Sequence, residues 1–240
     1  MRIRPILFNT EMVRAILDDR KTVTRRVVGA KITDGLPCGW DCGQERIRFE
    51  CGYGSGKPHY NRYVTPPYLP GDVLYVRETW APMIDLVDGK PTTVYAYKAS
   101  VDEYYKNSSL GTVIPGWHPS LHMPKEAARI FLRVADVRAE RLQKRFFEQH
   151  SAIFELRAEG IDIGDTCREC ISTYGRPCCN DEDSEDGSEC GVLDDVRDDF
   201  ARLWDSTVKP AFLDIYGWAA NPWVFRVEFE RCEKPKGFLA

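Results

Sequence analysis

The chain has 240 residues, a formal net charge of −4 and a sequence pI near 5.7. Its 43% apolar and 12% aromatic content, with six tryptophans, supports a real core and excludes a disordered composition. The acidic balance excludes a uniformly basic duplex-binding surface but leaves room for local basic patches.

No stretch approaches the roughly 18 apolar residues of a membrane span, and MRIRPILFNTEM lacks the apolar run of a signal peptide. A soluble cytoplasmic protein with no membrane partner is expected. In chain order, residues 3–8 (IRPILF) read as a short strand, with Pro5 at a strand start or edge. Thr10 is positioned to cap a helix over 11–18, with Met12, Val13, Ile16 and Leu17 on one face. The basic stretch RKTVTRR (20–26) follows directly. Positive charge is favoured at a helix C-terminus, which is the plain explanation of Arg20 and Lys21.

Residues 29–71 are rich in Gly, Pro and Tyr and read as a long irregular loop region. PGD at 70–72 turns the chain into VLYVRETW (73–80), a strand, and TTVYAYKA (92–99) is another. PGWHPSLHMP sits in an irregular segment over 100–128. RIFLRVADV (129–137) places Ile130, Leu132 and Val134 on one side of a strand. A helical pattern over about 146–158 is closed by Gly160. DDVRDDFARLWDS (194–206) reads as an amphipathic helix, and PWVFRVEFER (222–231) alternates as a strand. Separated strands with a few helices and no regular βαβ rhythm predict a single α+β domain around a curved sheet or small barrel. The Gly-rich phosphate loop, GxSxG and HExxH are all missing.

Nine cysteines in a chain without a secretion signal point to metal or buried thiols rather than disulfides. Cys167, Cys170, Cys178, Cys179 and Cys190 lie in an acidic insertion over about 163–191, and four of them suffice for a structural zinc. Cys38, Cys42 and Cys51 form a weaker second group, which His59 could complete. Unliganded thiols are the alternative for both.

The strand, the short helix and DRKTVTRR resemble the start of ASCH domains, relatives of the PUA-like barrel, whose signature is a Gly-x-Lys-x-x-x-x-Arg element. PGDVLYVRETW, WHPSLHMP, RIFLRVADV, LWDS and WAANPWVFRVEFE are similar to segments of ASCH-type proteins of bacteriophages and prophages. The resemblance runs from Pro5 to about Glu230, broken by the cysteine-rich insertion. It departs at Asp19, where the family has glycine; Asp tolerates the left-handed region better than most residues but less well than Gly.

The resemblance implies a PUA-like small β-barrel with flanking helices. It also implies two functions: RNA binding, or hydrolysis of N4-acetylcytidine by a lysine, a threonine and a glutamate, which correspond to Lys21, Thr24 and Glu78. Amide hydrolysis needs a nucleophile, an acceptor for its proton and a donor for the leaving nitrogen. Lysine is a base only if burial lowers its pKa. Arg25, Arg77, Trp117 and His122 are the accompanying candidates for substrate contact. Each has a plainer reading. Lys21 and the arginines could be solvated, Thr24 an ordinary strand residue, Glu78 an outward strand charge, and His122 a structural hydrogen-bonder. The ligand is a nucleoside or RNA, no organic cofactor is implied, and the remaining alternative is a phage protein-interaction module.

Overall fold

In the computed structural model, the described residues are 2–29, 36–41, 45–51, 60–87, 90–101, 116–146, 152–163 and 191–238. They form a mixed α+β fold with a mostly sheet core. The sheets are open, so no closed barrel is present among the described residues. None of the described helices is long and apolar enough to cross a membrane.

The chain divides into two compact units, each made of separated segments. The first comprises the chain up to Asp19, Pro70–Ala135 and Phe229 onward. In it, β1 (Ile3–Leu7) pairs in parallel with β6 (Val73–Arg77), and β6 pairs antiparallel with the start of β9 (Phe131–Arg141). Helix α1 (Thr10–Leu17) is capped by Asn9, whose side chain accepts from the Met12 N–H at 2.8 Å; the cap lies one residue earlier than the sequence suggests. Val13, Ala15 and Ile16 are its buried face.

The expected single strand over 73–80 is two. It breaks at Glu78 and Thr79, and β7 (Trp80–Val87) then pairs with β8 (Lys90–Tyr97) as a separate ribbon. Phe238 stacks its edges against Tyr75 and Phe131, at 5.3 and 4.9 Å between ring centroids, and closes the core of this unit.

The second unit comprises Arg20–Leu69 and Asp136–Glu228. Here β10 (Trp223–Cys232) pairs antiparallel with β2 (Val23–Val27), with Arg226 opposite Arg25 and Val227 opposite Thr24. The region expected to be a long loop holds three strands instead: β3 (Leu36–Asp41), β4 (Arg46–Cys51) and β5 (Tyr60–Val64), joined antiparallel. The missed signal is the alternation in RIRFEC, where Ile47, Phe49 and Cys51 are buried between outward Arg48 and Glu50. Glycines and prolines flanking short strands obscured it.

Helix α2 (Ala152–Ala158) supplies Ile153 and Leu156 to a cluster with Phe146, Phe200, Trp204 and Val224. Helix α3 (Gly191–Thr207) carries Phe200 and Trp204, and the Trp204 indole N–H donates to the Tyr216 carbonyl at 2.8 Å. That carbonyl ends the one-turn α4 (Leu213–Tyr216). The expected helix over 146–158 is described only from Ala152, since 147–151 lie outside the described residues. Gly160 does close it, with φ of 90° and its N–H on the Arg157 carbonyl at 2.8 Å. The insertion's cysteines (167, 170, 178, 179 and 190) and Cys42 also lie outside the described residues.

One glycine is fixed by space alone. A Cβ on Gly217 would stand 2.6 Å from the Leu213 carbonyl oxygen and 3.2 Å from Asp205 Oδ1. Asp205 there accepts from the Trp218 N–H at 2.6 Å. Gly217→Ala should therefore cost about 1–3 kcal/mol, as overpacking does. Thermal denaturation should show a clearly lower midpoint; an unchanged midpoint would mean that α4 shifts freely.

Candidate functional site

The stretch RKT is held by the end of α2. Helix termini leave carbonyls without intrahelical donors, and here each is met. The N–H groups of Glu159, Gly160 and Ile161 bond the carbonyls of Glu155, Arg157 and Leu156. The next three carbonyls receive donors from the basic stretch. Thr22 N–H donates to Ala158 O at 2.9 Å, Lys21 Nζ to Glu159 O at 2.7 Å, and Arg20 Nη1 to Gly160 O at 3.1 Å. The basic residues do serve a helix C-terminus, but it is that of α2 and not of the preceding α1.

Lys21 is not solvated; it is 2% exposed. Its ammonium also donates to Val23 O at 2.7 Å and to Glu159 Oε2 at 2.9 Å. All three N–H groups thus have acceptors. Burial pulls the pKa of Lys21 below its ordinary value, the charge and hydrogen bond of Glu159 oppose this, and the charges of Arg26 and Arg25 add to the lowering. The geometry is that of the protonated form, while burial brings the neutral amine nearer than in a solvated lysine.

Arg25 is the hub beside it. Its Nη1 donates to Glu159 Oε1 at 2.6 Å, and its Nη2 donates to Glu155 Oε1 at 2.5 Å and Glu140 Oε1 at 3.0 Å. Arg226, opposite on β10, donates from Nε and Nη2 to the two oxygens of Glu155 and from Nη1 to Glu228. Arg145 reaches Glu140 Oε2 at 3.2 Å. Three buried cations, Lys21, Arg25 and Arg226, thus face three buried carboxylates, Glu140, Glu155 and Glu159. Arg25 Nε is buried and has no partner among the described residues, and the guanidinium lies 4.6 Å above the Phe146 ring.

Thr24 is 2% exposed on β2 and, by strand alternation, faces away from Arg25. Its hydroxyl oxygen accepts from Arg26 Nη1 at 2.8 Å. The three ammonium bonds of Lys21 go to Val23 and Glu159, not to Thr24.

Glu78 belongs to the first unit. It lies just beyond β6 rather than on the strand, and is 1% exposed. Arg129 holds it bidentately, Nε to Oε1 at 2.9 Å and Nη2 to Oε2 at 3.0 Å, and stacks 4.0 Å over the Tyr97 ring. Arg77 in the same unit donates to the carbonyls of Met123 and Leu121. Trp117 is half-buried and His122 exposed. Cys51 is a buried thiol among Ile47 and Phe49 on the inner face of β4. Cys38 lies on β3.

Sequence reasoning found Lys21 and Arg25 but missed Glu140, Glu155, Glu159 and Arg226. Glu155 and Glu159 stand four apart on one helical face, the available signal. Asp19 adopts φ of 54°, and its carboxylate accepts from Arg231 at 3.2 Å. No family model matches this chain, and neither a curated protein nor a solved structure is found to be similar to it.

The network sets a pH dependence. Burial alone pushes the Glu155 carboxyl up, but the Arg226 hydrogen bond and the charges of Arg25 and Arg226 outweigh it and hold the pKa below its ordinary value of 4.5. A depressed carboxylate contributes stability that is present above the unfolded pKa and lost as pH falls through the folded one. Stability should be flat from neutrality to about pH 5 and fall below it. Glu155→Gln, leaving two buried arginines short of a charge, should cost about 3–5 kcal/mol at pH 7. It should also flatten the acid limb in denaturant titrations. A cost under about 1 kcal/mol would show the pairs to be dispensable.

Proposed function

We propose that this chain is an ASCH-type protein, related to the PUA-like barrels and of the phage or prophage kind, that hydrolyses an N4-acylated cytidine-type amide. The observation that supports this reading is the environment of Lys21. A lysine buried to 2% exposure, with its pKa lowered by burial, is the form of lysine that general-base chemistry requires. Thr24, three residues on and equally buried, is the nucleophile the resemblance implies.

In the proposed reaction the Thr24 hydroxyl oxygen attacks the amide carbonyl. Lys21 Nζ makes no hydrogen bond to Thr24 in this structure, so the proton passes to the neutral Lys21 amine through one bridging water and then to the leaving cytosine nitrogen, and water releases the acyl group from Thr24. The Arg26 N–H on Thr24 Oγ1 favours the developing alkoxide. Glu78 remains the third residue by resemblance, and replacing it with Gln tests its need for turnover separately from the Lys21–Thr24 pair.

A second reading has its own observation. Because all three Lys21 N–H groups are occupied, the stretch also suits a non-catalytic nucleoside- or RNA-binding module in which Lys21 is structural. Mass spectrometry of N4-acetylcytidine incubated with the protein decides between them. In the catalytic reading, Thr24→Ala abolishes deacetylation with nucleoside affinity nearly unchanged, since the nucleophile is lost but few ground-state contacts are. Lys21→Arg is inactive as well, because arginine keeps the charge and cannot act as a base. In the binding reading, wild-type protein leaves the amide intact.

The insertion adds a proposal on sequence grounds. Cys167, Cys170, Cys178, Cys179 and Cys190 provide enough thiolates for one structural zinc. Elemental analysis should find about one zinc per chain, lost on deletion of residues 165–191 with the remaining fold intact. Metal-free, folded full-length protein would refute the site.

A further inference from the structure

Glu159 directly follows α2, is 3% exposed, and meets Lys21 with both its main chain and its side chain. Its carbonyl accepts from Lys21 Nζ at 2.7 Å and its Oε2 accepts at 2.9 Å. Its other oxygen, Oε1, accepts from Arg25 Nη1 at 2.6 Å, and its own N–H donates to the Glu155 carbonyl at 3.0 Å. The carboxyl is thus fixed from several sides at hydrogen-bonding distance from the amine. Glu78, the glutamate matched by the resemblance, has both oxygens on Arg129 in the first unit.

The charged groups around the Lys21–Glu159 pair are Arg25 and Arg26 on β2, Glu155 on α2, Glu140 on β9, Arg145 beyond it and Arg226 on β10. Three buried cations, Lys21, Arg25 and Arg226, offset three buried carboxylates, Glu140, Glu155 and Glu159. Loss of the Lys21 proton to solvent would leave this cluster one negative charge in excess, which burial penalises. Transfer of the same proton to Glu159 Oε2, 2.9 Å away, leaves the sum unchanged. One N–H bond breaks, one O–H bond forms, and an ammonium and a carboxylate become an amine and a carboxylic acid.

We infer that Glu159 is the proton partner of Lys21: it takes one ammonium proton to free the amine for Thr24 and returns it at the end of turnover. Glu159 is then a positioning residue that acts through Lys21 and not on the substrate, a role that rests on the amide-hydrolysis reading. The Thr24 proton still passes to the amine and on to the leaving nitrogen. The proton held by Glu159 restores the ammonium afterwards, so the pair gains and loses none. Because the two arrangements hold the same number of protons, their ratio does not change with pH. Without the carboxylate, the amine is freed only by losing its proton to solvent. Burial and the charges of Arg26 and Arg25 still act against the ammonium, and the opposing charge of Glu159 is gone, so Lys21 titrates lower than in wild type.

The test is kcat/KM for N4-acetylcytidine between about pH 6 and pH 10. Wild type should be level through neutrality to about pH 8. Glu159→Gln should instead rise about tenfold per pH unit along a limb below the ordinary lysine range. Glu159→Asp, which keeps the acid but sets it back by one methylene, should be slower and level. Glu78→Gln should be level whatever its rate. Denaturant titration checks that each variant folds. A level profile or an unchanged rate in folded Glu159→Gln would overturn the inference. Should that variant not fold, a rising limb through neutrality in wild type or Glu159→Asp would overturn it equally. If wild-type protein leaves the amide intact, the functional reading fails, and the pair is read directly by carbon-13 NMR of the Lys21 ε-methylene, assigned by its loss in Lys21→Arg. A titration moved to lower pH in Glu159→Gln supports Glu159 as the partner of Lys21, and an unmoved one rules it out.

Discussion

The contact on which the second unit depends is that of the Lys21 ammonium with Glu159. One residue satisfies the backbone carbonyl and the carboxylate of the same partner, at 2.7 and 2.9 Å. It thereby fastens the chain entering β2 to the C-terminus of α2. Arg20 and Thr22 repeat the attachment on either side, so six consecutive carbonyls from Glu155 to Gly160 have donors. A helix end buried without such donors would be left with several unsatisfied acceptors, each costing on the order of 1–3 kcal/mol. The basic stretch is thus a C-terminal cap supplied by a distant part of the sequence.

The buried charges that surround this cap balance in number, and the balance decides what they do. A buried ion pair is weak evidence of net stability, because the desolvation of both groups offsets most of their attraction. Its consequence is selectivity of arrangement: Glu155 and Glu159 dock only where Arg25, Arg226 and Lys21 present donors. Apolar residues such as Ile153 and Leu156 drive α2 onto the sheet, and they would tolerate sliding by part of a turn. The carboxylates do not tolerate it, since sliding α2 would take Glu155 from both Arg25 and Arg226 and Glu159 from Arg25, leaving these arginines only Glu140 and Glu228. Packing supplies the energy of docking and the ion pairs supply its register.

Much of the skeleton was readable because its residues obey one period at a time. Ile130, Leu132 and Val134 alternate and are buried, and Gly160 ends α2 because only a left-handed residue continues the chain there. The failures share a physical origin. In PWVFRVEFE the alternation suggests one buried and one solvated face, yet Val224 is 0% and Arg226 5% exposed, so both faces of this part of β10 are covered. An arginine in the pattern reads as solvent-facing unless its carboxylates, 71 residues away for Glu155, are known. Three short strands between Leu36 and Val64 leave a weak trace for another reason: Gly and Pro mark their turns, and each strand is only 5 or 6 residues long. Of the candidate site, Lys21 and Arg25 were legible through the resemblance; charge density by itself suggests only solvated groups at a helix end. The identity of their partners was not, because long-range pairing leaves no local trace.

The double duty proposed for Lys21 is chemically demanding. As a cap it must be an ammonium, because a neutral amine has two N–H groups for three acceptors and would turn its lone pair toward an oxygen. As a base it must be neutral when Thr24 gives up its proton. Both conditions can hold only if deprotonation has an acceptor close by and does not dismantle the helix end. Glu159 meets the first condition, with Oε2 at 2.9 Å from Nζ. Arg25 meets the second, since its Nη1 on Glu159 Oε1 at 2.6 Å holds the side chain in place whichever partner carries the proton. The carbonyls of Glu159 and Val23 keep the two remaining N–H groups, and the amine lone pair accepts from the Glu159 carboxyl that has taken the proton. The six-charge cluster is therefore compatible with a reactive lysine because it is redundant around Glu159, whereas an isolated Lys–Glu pair would lose its only fastening with the proton.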